Sequence, residues 1–199
     1  MRNYEKLETG WLFTKEPQKD IPVTLNECWE TVDLPHSWNW YDGQDGKADY
    51  YRGKCWYVKE LDIPDQKPGT RTYVEIPAAS SACEVYVNGQ KVTEHEGGYS
   101  IFRADITSCL NGTKNILSVM VNNTHQDQIY PQMADFTFYG GLYRGVNLIY
   151  VPETHFDLDY YGSQGITVSS SITGENKAEL NLHAYIDNPK ESDQVLFTI

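Results

Sequence analysis

The chain has 199 residues, of which 40% are hydrophobic and 13% aromatic, so it can bury the core of a sizeable domain and is not a disordered segment. Its 28 acidic residues outnumber the 16 Lys and Arg, and the net charge of −12 argues against binding to nucleic acid or to an anionic membrane surface. The 15 Tyr and 5 Trp suit either a surface that holds a partly apolar, partly hydroxylated ligand or a large antiparallel sheet, and composition leaves both alternatives open.

The first three quarters of the chain consist of short apolar runs separated by Gly, Pro, Asn and Asp. Asn88-Gly89 is the strongest hairpin signal, since this dipeptide suits the tight turn between two paired strands. A helical period is absent, apart from one turn near residues 106–110. Many strands at short spacing predict an all-β sandwich. In chain order, the predicted strands are 55–61, 72–76, 84–87, 90–92, 116–121 and 146–150.

A second segment begins after Pro152. A polar connector leads into predicted strands at 166–171, 178–186 and 195–199. An immunoglobulin-type sandwich needs about seven strands and about 100 residues, so these strands predict only the start of one. The sequence therefore divides into residues 1–155, a complete sandwich, and residues 156–199, the beginning of an immunoglobulin-like domain.

Targeting and redox signals are weak. No apolar run approaches the roughly 18 residues that span a bilayer, and residues 1–4 do not begin a signal peptide. The compartment stays open between periplasmic, secreted and cytoplasmic.

The four cysteines lack a C-x-x-C pair and are expected to be free thiols, with one disulfide as the alternative. The five histidines form no ligand cluster, so a structural zinc is not expected.

Asp135 is the candidate functional residue of the sequence. It lies among Phe136, Phe138, Tyr139 and Tyr143, just before Gly140-Gly141. A carboxylate beside aromatic rings can accept hydrogen bonds from vicinal sugar hydroxyls while a ring covers the C–H face. The same carboxylate could instead bond backbone N–H groups in a turn. The residue pattern alone leaves both interpretations open.

Other polar residues favour structural roles. Arg52, Arg103 and Arg144 each lie among aromatic residues, where a guanidinium stacks on rings and makes forked hydrogen bonds. We expect Arg144 to tie the Asp135 loop to the strand that begins at Val146. His36 is expected to be a hydrogen-bonded structural histidine. No pair of carboxylates has a persuasive motif for glycoside hydrolysis, so no catalytic residue is predicted.

Seven segments, taken in order, resemble the N-terminal sugar-binding domain of glycoside hydrolase family 2, which includes β-galactosidases, β-glucuronidases and β-mannosidases. Together they cover about residues 10–151. They are GWLF (10–13), VDLPHSWNWYDGQDG (32–46), DYYRGKCWYVKEL (49–61), VYVNGQKV (85–92), HEGGYSIFRADIT (95–107), NILSVMVNN (115–123) and DFTFYGGLYRGVNLIYV (135–151).

The resemblance implies a jelly-roll, galactose-binding-like antiparallel sandwich followed by the start of an immunoglobulin-like sandwich. It further implies that both catalytic glutamates of a retaining enzyme, most similar to a β-galactosidase, lie in a (β/α)₈ barrel later in the full chain. Asp135 matches the family's sugar-binding Asp, with Gly141 to Arg144 following at the expected distance. Asp49 and Tyr50 match, more loosely, a second loop that approaches the sugar.

The resemblance also implies partners and cofactors. The expected partners are a β-galactoside or related β-glycoside, the chain's own barrel and, where it oligomerises, further copies of itself, with neither nucleic acid nor membrane. No cofactor is expected in this chain. Sodium or magnesium would belong to the full enzyme, because in some β-galactosidases the carboxylate that Asp135 matches helps to hold a sodium ion. The alternatives to a cleft-forming domain are a free-standing carbohydrate-binding module and a purely structural sandwich.

Overall fold

A computed structural model of the chain describes residues 2–42, 44, 46, 49–64, 68–130 and 137–198. Within these residues every paired strand is antiparallel, and the only helices are two single 3-10 turns, at Thr107–Cys109 and Tyr160–Gly162. The predicted all-β class and the helical turn near residues 106–110 are therefore confirmed.

The strands are numbered in chain order. They are β1 (Asn3–Lys6), β2 (Trp11–Thr14), β3 (Glu30–Val32), β4 (Lys54–Asp62), β5 (Thr70–Ile76), β6 (Ala82–Val87), β7 (Gln90–Glu96), β8 (Phe102–Asp105), β9 (Lys114–Asn122), β10 (Asn147–Pro152), β11 (His155–Phe156), β12 (Ile166–Gly174), β13 (Lys177–Ala184) and β14 (Ile186–Asp187). One sheet has six strands in the order β3-β2-β4-β9-β6-β7, and a second has four in the order β1-β10-β5-β8. Two two-stranded pairs, β12-β13 and β11-β14, follow them.

The two large sheets share one hydrophobic core. Val119 of β9 lies between Tyr57 of β4 and Val85 of β6, and all three side chains are fully buried. Alternate residues of the four-stranded sheet, including Val74 and Leu148, meet them from the other side. Side chains at every second position of a strand share a face, so the period-two pattern of the sequence places one face of each sheet in this core.

The hairpin predicted at Asn88-Gly89 is also confirmed. Val87 pairs with Gln90, and the two turn residues have φ of 51° and 82°. A two-residue turn with positive φ at both positions matches the twist of the strands that it joins.

The outer face of the four-stranded sheet is covered by the connector that precedes β12. Tyr73, Ile149 and Val151 of the sheet pack with Leu158 in a second apolar cluster. Beside them, Arg103 Nε donates to Glu75 Oε2 at 2.7 Å, and Arg103 Nη1 donates to the carbonyl oxygens of Leu158 at 2.6 Å and Ser163 at 3.0 Å. The expected structural role of Arg103 is therefore confirmed.

Two expectations for the last segment are wrong in detail. Residues 195–198 form no strand within the described part of the chain, and the strand predicted at 178–186 is interrupted between β13 and β14. Apolar β-branched residues favour a strand, but a strand forms only where a neighbour completes its hydrogen-bond ladder. β13 has that neighbour in β12, whereas Ile186–Asp187 pairs instead with β11. The division at residue 155 stays a prediction.

All four cysteines are free thiols, as predicted. Cys55 and Cys83 lie on the core-facing sides of β4 and β6 and are buried, whereas Cys28 is exposed.

We predict that Arg103→Met lowers the free energy of unfolding by about 3–5 kcal/mol, because the Glu75 carboxylate would remain buried without its cation. The double variant Arg103→Met/Glu75→Gln should recover a large part of this loss, since it removes the buried charge and keeps an acceptor for Asn147. Urea unfolding followed by tryptophan fluorescence measures both values.

Arg71→Met is the matched control. It removes an arginine of the same sheet from a partly exposed pair with Asp105, and it should cost less than about 1 kcal/mol. Equal losses for Arg71→Met and Arg103→Met would contradict a special role for the buried pair.

Candidate functional site

Six loop segments meet at one end of the sandwich, which we call the site end. This end is where β4 and β10 begin and where β5 and β9 finish. The segments are residues 36–42, 49–53, 77–81, 97–101, 123–130 and 137–146.

The side-chain amide of Asn39 connects three of these segments. Its Nδ2 donates to Asp42 Oδ2 at 2.6 Å and to the carbonyl oxygen of Tyr51 at 2.8 Å. Its Oδ1 accepts from the backbone N–H of Gly140 at 2.7 Å. Asn39 is fully buried, and a buried amide without partners is costly, so these bonds fix the relative positions of the segments.

Asn123 continues this network from the end of β9. Its Oδ1 accepts from the backbone N–H of Gly53 at 2.8 Å, and its Nδ2 donates to Asn39 Oδ1 at 3.2 Å and to the carbonyl oxygen of Tyr51 at 3.1 Å. The sequence prediction missed Asn39 and Asn123. The signal that could have revealed Asn123 is the polar pair Asn122-Asn123, which ends an otherwise apolar strand.

Gly140 and Gly141 are closely packed against the loop that follows β3. A Cβ atom on Gly140 would lie 2.1 Å from Trp38 Cζ2, and one on Gly141 would lie 2.3 Å from the carbonyl oxygen of His36. Gly141 also has a φ of 133°, which favours glycine. Its carbonyl oxygen accepts from the backbone N–H of Ser80 at 3.2 Å. These contacts restrict the positions of Gly140 and Gly141.

The predicted binding residues divide into two groups. Asp135 lies outside the described residues, so its prediction stays untested. Asp49 and Tyr50 lie at the site end, where Asp49 Oδ1 accepts from the backbone N–H of Tyr50 at 2.7 Å. The Tyr50 ring stacks with the guanidinium of Arg52, 4.5 Å away, and the Tyr50 hydroxyl accepts a hydrogen bond from Arg52. The expected pairing of Arg52 with an aromatic ring is confirmed.

Arg144 has a different contact from the one expected. Its Nη1 donates to the carbonyl oxygen of Tyr99 at 3.1 Å, and its guanidinium lies 5.4 Å from the Tyr143 ring. It therefore links the segment to the loop before β8 rather than to the strand that begins at Asn147. Arg144 is exposed and precedes β10 in the chain, where its guanidinium reaches the neighbouring loop.

His36 has the structural role that was expected. Its Nδ1 lies 2.8 Å from the Tyr57 hydroxyl, and its ring packs 4.9 Å from that of Phe13. Burial lowers the pKa of His36 and raises the pKa of Tyr57 well above its usual value. The His36 imidazole therefore connects the loop that follows β3 to the core residues Phe13 and Tyr57.

The described residues contain neither a group of metal-ligating side chains nor a membrane-spanning helix. Among the described residues, no three His, Cys, Asp or Glu side chains are grouped so as to hold a metal ion. No helix within the described ranges is long and apolar enough to cross a bilayer.

The chain is similar to known proteins over most of its length. The profile of the family described as "Glycosyl hydrolases family 2, sugar binding domain" matches residues 4–152. A β-glucuronidase of Bacteroides fragilis is 36% identical over 158 residues, covering 79% of this chain and 23% of that protein. A β-galactosidase of Thermoanaerobacter pseudethanolicus is 29% identical over 173 residues, covering 80% of this chain and 22% of that protein.

The chain is also similar to solved structures of β-glucuronidases. The crystal structure of an FMN-binding β-glucuronidase from Facaelibacterium prausnitzii L2-6 is 45% identical, with a TM-score of 0.85, and the match covers 96% of this chain and 29% of that one. The chain thus spans about a quarter of the length of the curated relatives it matches.

We predict that Gly140→Ala lowers the free energy of unfolding by about 1–3 kcal/mol, because the added methyl group would overlap the Trp38 ring and displace Asn123. Gly174→Ala, in the hairpin of β12 and β13, is the control, since its Cβ would meet only Lys177 Cβ at 3.7 Å. Urea unfolding of both variants checks this, and an unchanged stability for Gly140→Ala would contradict the close packing.

We also predict that the chain loses stability as the pH falls below about 6.5. Burial lowers the pKa of both His36 and His95, so below this pH the unfolded chain binds protons that the folded chain does not. Unfolding free energies of the wild type and of His36→Phe, measured from pH 7.5 to pH 5, test this prediction. The variant should show a shallower pH dependence, and identical slopes would contradict the assignment to His36.

Proposed function

Because this chain belongs to glycosyl hydrolase family 2 and matches the sugar binding domain of that family, we propose that it forms one wall of the substrate cleft of a retaining β-glycosidase. In this proposal the chain binds and positions the sugar, and the two catalytic glutamates come from the barrel of the full-length enzyme. The chain itself contributes no catalytic residue.

The observation that carries the proposal is the network of Asn39, Asn123 and Gly140 at the site end. A binding group must be held within a fraction of an ångström to contribute to catalysis, and it needs supporting residues whose own positions are fixed. Gly140 lies five residues after Asp135, and its backbone N–H is bonded to a fully buried side chain. This anchoring supports the assignment of Asp135 as the sugar-binding carboxylate.

The chemistry of the proposed contact is hydrogen bonding to sugar hydroxyls. An ionised carboxylate accepts hydrogen bonds from two neighbouring hydroxyls at once, and such charge-assisted bonds are stronger than neutral ones. Tyr139, 44% exposed, can cover an apolar face of the same sugar. The sodium ion that the resemblance attaches to Asp135 remains a proposal for the full-length enzyme.

A β-glucuronide is the substrate that we favour. Most of the matched relatives are named β-glucuronidases and a minority β-galactosidases, so the names favour a uronic acid over the galactoside that the sequence suggested. A β-galactoside remains the second candidate, supported by the β-galactosidase relatives.

A free-standing carbohydrate-binding module is the alternative from another class. The exposed pair Trp40 and Tyr41, 68% and 52% accessible with ring centroids 5.3 Å apart, favours it, because such modules bind sugars on aromatic rings. Titration of this chain with methyl β-D-glucuronide, methyl β-D-galactoside and methyl β-D-mannoside separates the two proposals. A cleft wall alone should bind each very weakly, whereas a binding module should saturate.

We predict that Asp135→Ala lowers kcat/KM of the full-length enzyme by one to two orders of magnitude. Loss of one charge-assisted contact costs about 1.5–3 kcal/mol, and each 1.36 kcal/mol or so corresponds to about tenfold in rate. Initial rates with p-nitrophenyl β-D-glucuronide and p-nitrophenyl β-D-galactoside measure the effect.

The control is Asp62→Ala, at the opposite end of β4, where the carboxylate pairs with the exposed Lys114. Its kcat/KM should match the wild type. Wild-type kinetics for Asp135→Ala in a correctly folded enzyme would refute the proposed role of Asp135.

A further inference from the structure

Two Asn-Gly dipeptides occur in the chain, Asn88-Gly89 and Asn111-Gly112. Such a dipeptide is chemically labile, because glycine has no side chain that would keep its backbone nitrogen away from the preceding side-chain amide. Asparagine is accordingly one of the thermolabile residues of proteins. Both asparagines are exposed, so access to water does not distinguish them. The contacts of their side-chain amides do.

The Asn88 amide is held at both of its polar atoms. Its Nδ2 donates to the carbonyl oxygen of Cys109 at 2.9 Å and to Asn115 Oδ1 at 2.8 Å, and its Oδ1 accepts from the backbone N–H of Ile116 at 2.9 Å. Attack by the Gly89 nitrogen on Asn88 Cγ would draw the amide toward its own backbone and make the planar carbon tetrahedral. Because these three hydrogen bonds must break first, they protect Asn88.

The Asn111 amide has a different environment. Asn111 lies in the loop between the 3-10 turn at Thr107–Cys109 and β9, where its backbone N–H donates to Asn115 Oδ1 at 2.7 Å. Among the residues that the structure describes, none forms a hydrogen bond with the Asn111 side chain. Gly112 has a φ of 66°, and a Cβ atom placed on it would meet no atom within 4 Å. The loop therefore leaves the Asn111 side chain free to approach the Gly112 nitrogen.

We propose that Asn111 is a site of spontaneous deamidation in the folded protein, whereas Asn88 is protected. The Gly112 nitrogen bonds to Asn111 Cγ, the Cγ–Nδ2 bond breaks, and ammonia leaves with the proton of the Gly112 N–H. Water then opens the resulting succinimide ring. Opening at Cγ gives aspartate, and opening at the backbone carbonyl carbon gives isoaspartate, in which the main chain runs through Cβ. Either product adds a negative charge to a chain whose net charge is −12.

Isoaspartate at position 111 would also disturb the support of the neighbouring hairpin. The buried Asn115 donates through Nδ2 to the carbonyl oxygen of Gly112 at 3.1 Å, and its Oδ1 accepts from both Asn111 and Asn88. An extra main-chain atom before Gly112 shifts that carbonyl oxygen, and a buried amide that loses a partner is destabilising. The loop lies at the end of the sandwich opposite the site end, so deamidation should lower stability and leave substrate turnover unchanged.

Trypsin separates the two sites, because residues 72–91 contain Asn88 and residues 104–114 contain Asn111. The folded full-length enzyme is incubated in mildly alkaline H₂¹⁸O and digested in ordinary water, so that only succinimides hydrolysed during the incubation carry the label. Mass spectrometry should find label in the 104–114 peptide at least about 10-fold faster than in the 72–91 peptide, because three hydrogen bonds protect Asn88. Equal rates, or a faster rate at Asn88, would overturn the proposal.

The same incubation in urea is the reference, since both dipeptides are then free and should react at similar rates. An Asn111 that reacts far faster in urea than in the folded enzyme would be protected by the fold, which would refute the proposal. Asn111→Gln should abolish labelling of the 104–114 peptide.

The variant Asn111→Asp separates the added charge from the change in the backbone. It carries the charge of the product on a normal main chain, so its kcat/KM and its thermal unfolding midpoint should match those of the wild type. Wild-type enzyme enriched in isoaspartate at position 111 should unfold at a lower temperature than Asn111→Asp. Equal midpoints for the two would contradict the effect assigned to Asn115.

Discussion

The buried amide of Asn39 is the group on which the geometry of the site end depends. A single side chain satisfies the backbone of Tyr51 and Gly140 and the carboxylate of Asp42, and it is itself bonded by Asn123. Because a buried amide must keep its partners, the loops before β4 and β10 cannot move independently. Functional loops are usually more mobile than the strands they connect. Here the hydrogen bonds of one polar residue restrict that motion.

The sandwich supports this arrangement at two levels. The inner faces of the sheets form one apolar core, so the strand ends from which the loops depart have fixed positions. On the outer face of the smaller sheet, Arg103 binds the carbonyl oxygens of Leu158 and Ser163 and thereby attaches the connector to β8. The loops of the site end and the connector are therefore both held by polar contacts that cross between elements, whereas apolar burial supplies the bulk of the stability.

Sequence patterns predicted the features that depend on near neighbours. The Asn88-Gly89 hairpin and the alternating residues of β9 follow from local backbone geometry, so they could be read directly. The bond between Asn39 and Asn123 joins residues 84 positions apart and leaves no periodic trace. Gly140 is required by the ring of Trp38, which is distant in sequence. Residues 195–198 show the opposite error, since strand propensity cannot supply a missing neighbour.

The two core cysteines have a consequence for the motion of the larger sheet. Burial raises the pKa of the Cys55 thiol to about 12 and also raises that of Cys83, whereas Cys28 lies at the surface. Only a thiolate attacks an electrophile, so both core thiols are chemically silent while the sandwich stays closed. A reaction at Cys55 or Cys83 would then require a transient opening of the six-stranded sheet. The rate at which these two thiols are modified therefore reports how often the sheet opens.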